Sequence, residues 1–113
     1  MIYTIGYQGA KIDRIRRIAE ALDATVVDVR GVPNSRNPVY RRANLEQTLP
    51  KYVWKGDVLG NYRGNTVTES GLAWLASQPG NLILLCMEAA PGDCHRHHQI
   101  AMRLDVPVCH ISL

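Results

Sequence analysis

Three short clusters in this 113-residue chain combine residue types able to do chemistry: Asp28-Val29-Arg30, Cys86-Met87-Glu88 and Cys94-His95-Arg96. Asp28 interrupts an apolar run, and Arg30 follows two residues later, so in an extended chain both point to one face. A buried carboxylate needs partners. Asp28 is therefore expected either to pair with Arg30 and hold backbone in place, or to orient a ligand while Arg30 binds an anionic group. Cys86 and Glu88 repeat the two-residue spacing at the end of the run 82–86. If Asp93 caps a helix, Cys94 falls in its first turn, where the helix dipole lowers a thiol pKa. His95 and Arg96 add positive charge there. Cys94 is thus a candidate nucleophile, Cys86 a candidate nucleophile or core residue, and Cys109 a core residue of an apolar strand.

The cysteines and His95, His97 and His98 raise the question of zinc, and their spacing argues against it. There is no Cys-x₂-Cys or His-x₃-His pair, and the interval from Cys86 to Cys94 is unusual for a structural site. Nor is there a phosphate-binding Walker loop or a Gly-x-Gly-x-x-Gly element. No metal and no cofactor is expected.

The elements that must position these clusters read as alternating strands and helices. Ile2 to Gly6 predicts a buried strand, and Tyr7-Gln8-Gly9 a turn. Ile12, Ile15, Ile18, Ala19 and Leu22 recur at helical spacing within a helix from Lys11 to Leu22. Ala24 to Val29 predicts a second strand, parallel to the first across a right-handed crossover. The proline- and asparagine-rich stretch 31–38 is a loop, followed by a helix from Arg41 to Leu49 stopped by Pro50. Tyr52-Val53-Trp54 predicts a brief edge strand. Gly56, Gly60 and Gly64 mark Lys55 to Thr66 as an exposed loop, and Thr68 caps a helix to Ser77 with Leu72 and Leu75 inward and Trp74 at the border. Asn81 to Cys86 predicts a fully buried strand, Cys94 to Leu104 a helix, and Val106 to Ile111 a last parallel strand. The expected architecture is α/β: a mostly parallel sheet of four to five strands flanked by helices, one three-layer domain over residues 1–113.

Composition bounds the function. The chain is 46% hydrophobic and 20% charged, as expected of a folded protein, and no apolar run approaches the ~18 residues that cross a bilayer. The first residues lack a basic start and an apolar stretch, which predicts a cytoplasmic protein. Three cysteines without an export signal are expected to be reduced thiols. The net charge of +3 is mild, but ten of the thirteen basic residues are Arg, whose planar fork of donors suits phosphate and carboxylate. Arg14, Arg16 and Arg17 read as a solvated helix face.

In parallel sheets, ligands bind beyond the carboxyl ends of the strands. Gly6-Tyr7-Gln8-Gly9, Asp28-Val29-Arg30 and Cys86-Met87-Glu88 should all end at that edge. With these pieces in place, the chain resembles the domain-of-unknown-function family 488. The resemblance rests on Thr4-Ile5-Gly6-Tyr7, Val27-Asp28-Val29-Arg30 with Pro33 and Ser35-Arg36, Leu59-Gly60, and Leu84-Leu85-Cys86-Met87-Glu88 leading to Cys94-His95-Arg96. It implies a compact α/β fold and a site drawn from Gly6, Asp28, Arg30, Ser35, Arg36, Cys86, Glu88, Cys94, His95 and Arg96. A fainter likeness to rhodanese domains lies in the Asp-x-Arg strand end and a later cysteine-bearing strand. Glu88 and Pro91 give the following loop the wrong character for that chemistry, because a carboxylate beside a thiol raises its pKa.

The leading functional expectation is a hydrolase or transferase acting on a nucleotide or nucleic-acid-derived substrate. Arg30, Arg36 and Arg96 would meet phosphate, with Gly6, Tyr7 and Ser35 contributing to binding. Asp28 or Glu88 would act as general acid/base, at a glycosidic bond for example, and Tyr7 or Tyr40 would stack on a base. The alternatives are sulfur or phosphoryl transfer through Cys86 or Cys94 assisted by His95 and Arg96, and a non-catalytic module that binds nucleic acid or a small anion. No membrane partner is expected, and the oligomeric state is open; Trp54 and Trp74 would mark a dimer surface if exposed, but partial burial in the core is the expectation for each.

Overall fold

The structure, a computed structural model, describes residues 1–60, 66–88 and 99–113. Its framework is a five-stranded, all-parallel sheet in the order β3-β2-β4-β1-β5, formed by β1 (Ile2–Gly6), β2 (Thr25–Asp28), β3 (Tyr52–Trp54), β4 (Leu82–Cys86) and β5 (Val108–Ile111). The expected βαβ unit is present as parallel strands, but β1 and β2 are not neighbours, because β4 lies between them. The strand with the longest continuous apolar run takes the centre, and all five of its residues are buried. β3 and β5 are the edges.

Side chains alternate across the sheet, giving two cores. Ile5, Val26, Ile83 and Leu85 face one side, where helix α1 (Ile12–Leu22) contributes Ile15 and Ala19 and α2 (Arg42–Thr48) contributes Leu45. Val27, Leu82, Leu84 and Cys86 face the other, where α3 (Gly56–Leu59) contributes Leu59, α4 (Glu69–Ser77) contributes Leu72 and Leu75, and Ile100 closes the layer. Three layers result, with helices on both faces.

Local chemistry sets the element ends. Asp23 ends α1 in the left-handed conformation, and its N–H bonds back to Ala19 and Glu20 carbonyls. The Thr68 hydroxyl accepts from Gly71 N–H at 3.0 Å and opens α4 as a cap. Three expectations change. Residues 56–59 form a short helix with Gly56 and Leu59 buried, so the start of the glycine-rich stretch is packed rather than exposed. Glycine serves close approach there: a Cβ on Gly56 would lie 1.8 Å from the Arg30 carbonyl oxygen. Cys109, expected in the core, is exposed on edge strand β5. The strand expected from Val106 begins at Val108, just after Pro107, which has no N–H to give a ladder. Of the helix expected over 94–104, the part at 94–98 lies outside the described residues, and Ala101–Arg103 forms a 3₁₀ turn. Trp54 and Trp74 are half-buried, each under a cation, Arg42 at 5.1 Å and Lys55 at 4.6 Å. Among the described residues no helix is long and apolar enough to cross a membrane.

Candidate functional site

The parallel register brings the predicted strand ends to one edge. Gly6 pairs with Cys86 and Asp28 with Leu85. Pairing continues past the strands, with Tyr7 N–H donating to the Cys86 carbonyl at 2.9 Å and Gln8 N–H to Met87 at 2.8 Å. The chain leaves β1 and β2 for the α1/α2 face, but leaves β3 for the opposite face. Neighbouring β2 and β3 therefore have diverging connections, the arrangement that opens a crevice at a sheet's carboxyl edge.

Asp28 is fully buried (0% exposed) and Arg30 nearly so (7%). Asp28 Oδ1 accepts from Arg30 N–H at 3.1 Å and from Arg30 Nε at 2.9 Å; Oδ2 accepts from Arg30 Nη2 at 2.6 Å and from the Tyr52 hydroxyl at 2.5 Å. These four bonds fill the carboxylate's acceptor capacity. Asp28 is thus a positioning residue, and the pairing foreseen between it and Arg30 is realised as a bidentate fork. Burial opposes the Arg30 charge, but the hydrogen bonds and charge of Asp28, helped by Tyr7, outweigh it and raise the guanidinium pKa. Burial, reinforced by the Asp28 charge and hydrogen bond, raises the Tyr52 pKa and keeps its hydroxyl a donor.

Arg30 passes this anchoring to the following loop. Its Nη1 donates to the Tyr7 hydroxyl and to the Asn34 carbonyl, each at 3.2 Å, and its own carbonyl accepts from Trp54 Nε1 at 2.7 Å. Short side-chain turns shape the rest: Asn34 Oδ1 accepts from Ser35 N–H, the Ser35 hydroxyl from Asn37 N–H, and Asn37 Oδ1 from Val39 N–H. Arg41 Nε then donates to the Ser35 carbonyl at 3.1 Å, leaving the far end of its guanidinium for other contacts. The outcome is a cavity of about 560 Å³ whose lining includes Arg30, Asn34, Ser35, Arg36, Arg41, Cys86 and Glu88.

Sequence reasoning placed Arg30, Ser35, Arg36, Cys86 and Glu88 together, and the cavity does bring them together. Gly6 lies at the same edge but lines a separate cavity, beside Lys11 and Arg14. Tyr7 and Tyr40 are buried and stacked on each other, centroids 4.2 Å apart, with the Tyr40 hydroxyl donating to the Ala10 carbonyl. The expectation that either stacks on a base is corrected: each ring already has the other as its partner. Cys94, His95 and Arg96, with His97 and His98, lie outside the described residues. Cys86 is buried and disulfide-bonded, which corrects the expectation of reduced thiols throughout; its Sγ lies 3.6 Å from Glu88 Oε2. Arg41, Asn34 and Tyr52 were missed. Tyr52 carried no local signal: it reaches Asp28 because β3 pairs with β2 in the register Asp28–Trp54, which puts Tyr52 on the Asp28 face.

Fold and site together define a small parallel α/β protein with an arginine-lined, strand-end cavity. The chain belongs to the family described as "Domain of unknown function DUF488", whose family model matches residues 11–74. That match includes Asp28, Arg30, Ser35, Arg36 and Arg41 and ends before β4. No curated protein and no solved structure matches the chain.

Proposed function

We propose that this protein is an enzyme acting on a nucleotide or nucleic-acid-derived substrate, with the substrate's phosphate held by Arg36 and Arg41 and Glu88 acting as general acid/base. The observation that carries the reading is the lining of one cavity by exposed Arg36 and Arg41 together with half-buried Glu88, at the sheet edge where parallel folds bind ligands. Among the described residues Arg36 and Arg41 make no ion pair, which leaves their charge uncompensated by any described carboxylate and suited to an anion. Arg30 acts from behind: four of its donor bonds are made within the protein, and its role is to fix the wall at Asn34.

The division of labour between the two carboxylates follows from burial. Asp28 is saturated and is not part of the cavity lining, so it holds Arg30 and takes no proton from substrate. Glu88 lines the cavity and is the carboxylate this reading assigns to the substrate. A two-carboxylate glycosidase arrangement, which needs both acids across one bond, is not favoured by this geometry. Nucleophilic attack by Cys86 is not favoured either, since a buried, disulfide-bonded sulfur offers no thiolate.

The test is turnover. Nucleoside mono-, di- and triphosphates and oligothymidylate are incubated with the protein and products identified by mass spectrometry. Glu88→Gln should lower kcat by about 100-fold or more with little change in KM, whereas Arg41→Ala should raise KM. Binding without product from any of these substrates would overturn the enzymatic assignment and leave a nucleotide-binding module.

A further inference from the structure

The described cations fall into two groups. Those along the flanks and the amino edge are paired: Arg16 and Arg17 with Asp13, Arg42 with Glu46, Lys51 with Asp23, and Arg103 with Glu69. Those at the carboxyl edge, apart from the buried Arg30, make no ion pair with a described residue; they include Lys55, which sits over the Trp74 ring. Lys11 and Arg14 stand in the first turn after β1, and Arg36 and Arg41 in the connection after β2. Lys11 and Arg14 line a second cavity of about 520 Å³ with Gly6, Gln8 and Gly9, closed on one side by Ser112 and Leu113.

We infer that this second cavity is a further phosphate subsite, and that the ligand of the carboxyl edge is a single nucleic-acid strand spanning both cavities rather than a free mononucleotide. The inference rests on the proposed function and deepens it. The first cavity lies over the ends of β2 and β4, the second over the ends of β1 and β5. Two strand spacings of about 4.8 Å separate such positions, on the order of 10 Å. A stacked strand carries one phosphate per roughly 3.4 Å, so about three intervals, and hence about four phosphates, cover that span. Its backbone would meet Arg36 and Arg41 at one end and Lys11 and Arg14 at the other. With Tyr7 and Tyr40 stacked on each other, recognition at this edge runs through phosphate rather than through base stacking.

The experiment measures a fluorescein-labelled thymidine octamer by anisotropy, with thymidine 5′-monophosphate as competitor, across a salt series. Wild-type protein should prefer the octamer, with a salt slope near −2.8 for four phosphate contacts at about −0.7 each. Lys11→Ala/Arg14→Ala should halve that slope to roughly −1.4 and weaken the octamer about tenfold, so that the ratio of octamer to monophosphate affinity collapses. If that variant keeps the wild-type ratio while Arg36→Ala/Arg41→Ala weakens both ligands, the second subsite is disproved and the first cavity stands. If Arg36→Ala/Arg41→Ala leaves both affinities at the wild-type value, the proposed function itself fails.

Discussion

Asp28 and Arg30 form a buried ion pair in which every carboxylate lone pair is used. Removing one member of such a pair strands the other charge in the interior, at a cost of about 3–5 kcal/mol. Asp28→Asn should therefore lower the free energy of unfolding by about that much in urea denaturation. A loss below about 1 kcal/mol, the range of an exposed pair, would show that Arg30 reaches water. Tyr52 gives a pH signature. Its folded pKa lies above the usual value of 10.0, and that of Tyr40 is also raised, by burial and by Tyr7. Above pH 10 the unfolded chain sheds these protons while the folded chain keeps them, so stability is intact below pH 10 and falls as pH rises beyond it. Tyr52→Phe should flatten that decline; an unchanged alkaline slope would contradict the Tyr52–Asp28 bond. At this scale the pair itself was legible, because an acid in an apolar strand demands a partner at i+2. Tyr52 was not, since its approach depends on β3 lying beside β2, a fact of topology that local spacing does not carry.

Elements position these residues through contact between backbones. α3 begins against the Arg30 carbonyl, and a Cβ on Gly56 would also meet Trp54 Nε1 at 2.4 Å. Gly56→Ala must displace α3 or the wall at Arg30, and should cost about 3 kcal/mol, read as a drop in the urea midpoint. A substitution tolerated without loss would mean that residues 56–59 are not seated there. Glycines at 56 and 60 looked like loop residues because glycine spacing alone does not separate freedom of backbone from closeness of approach. Strands and long helices were legible within one or two residues at most ends, since hydrophobic period is set locally. The order β3-β2-β4-β1-β5 was not. The apolar run 82–86 foretold a strand buried on both faces, but not its insertion between β1 and β2.

Over the described residues, the cationic side chains without an ion pair gather at one sheet edge. Among the described residues, cations are paired elsewhere and unpaired at the carboxyl edge, a bias in charge placement that net charge alone understates. Arginine dominance in the sequence pointed to an anion. Which arginines line the cavity became visible only once Arg30 was seen to turn inward and Arg41 to flank it. The central claim is that Arg36 and Arg41 hold a phosphate there. Calorimetric titration of thymidine 5′-monophosphate into wild-type protein and into Arg36→Ala/Arg41→Ala tests it most directly. Saturable binding to the wild type is expected, with an affinity about 100-fold lower in the variant from the loss of two charge-assisted contacts of about 1.5 kcal/mol each. Equal affinity in the two proteins would place the phosphate elsewhere and contradict it.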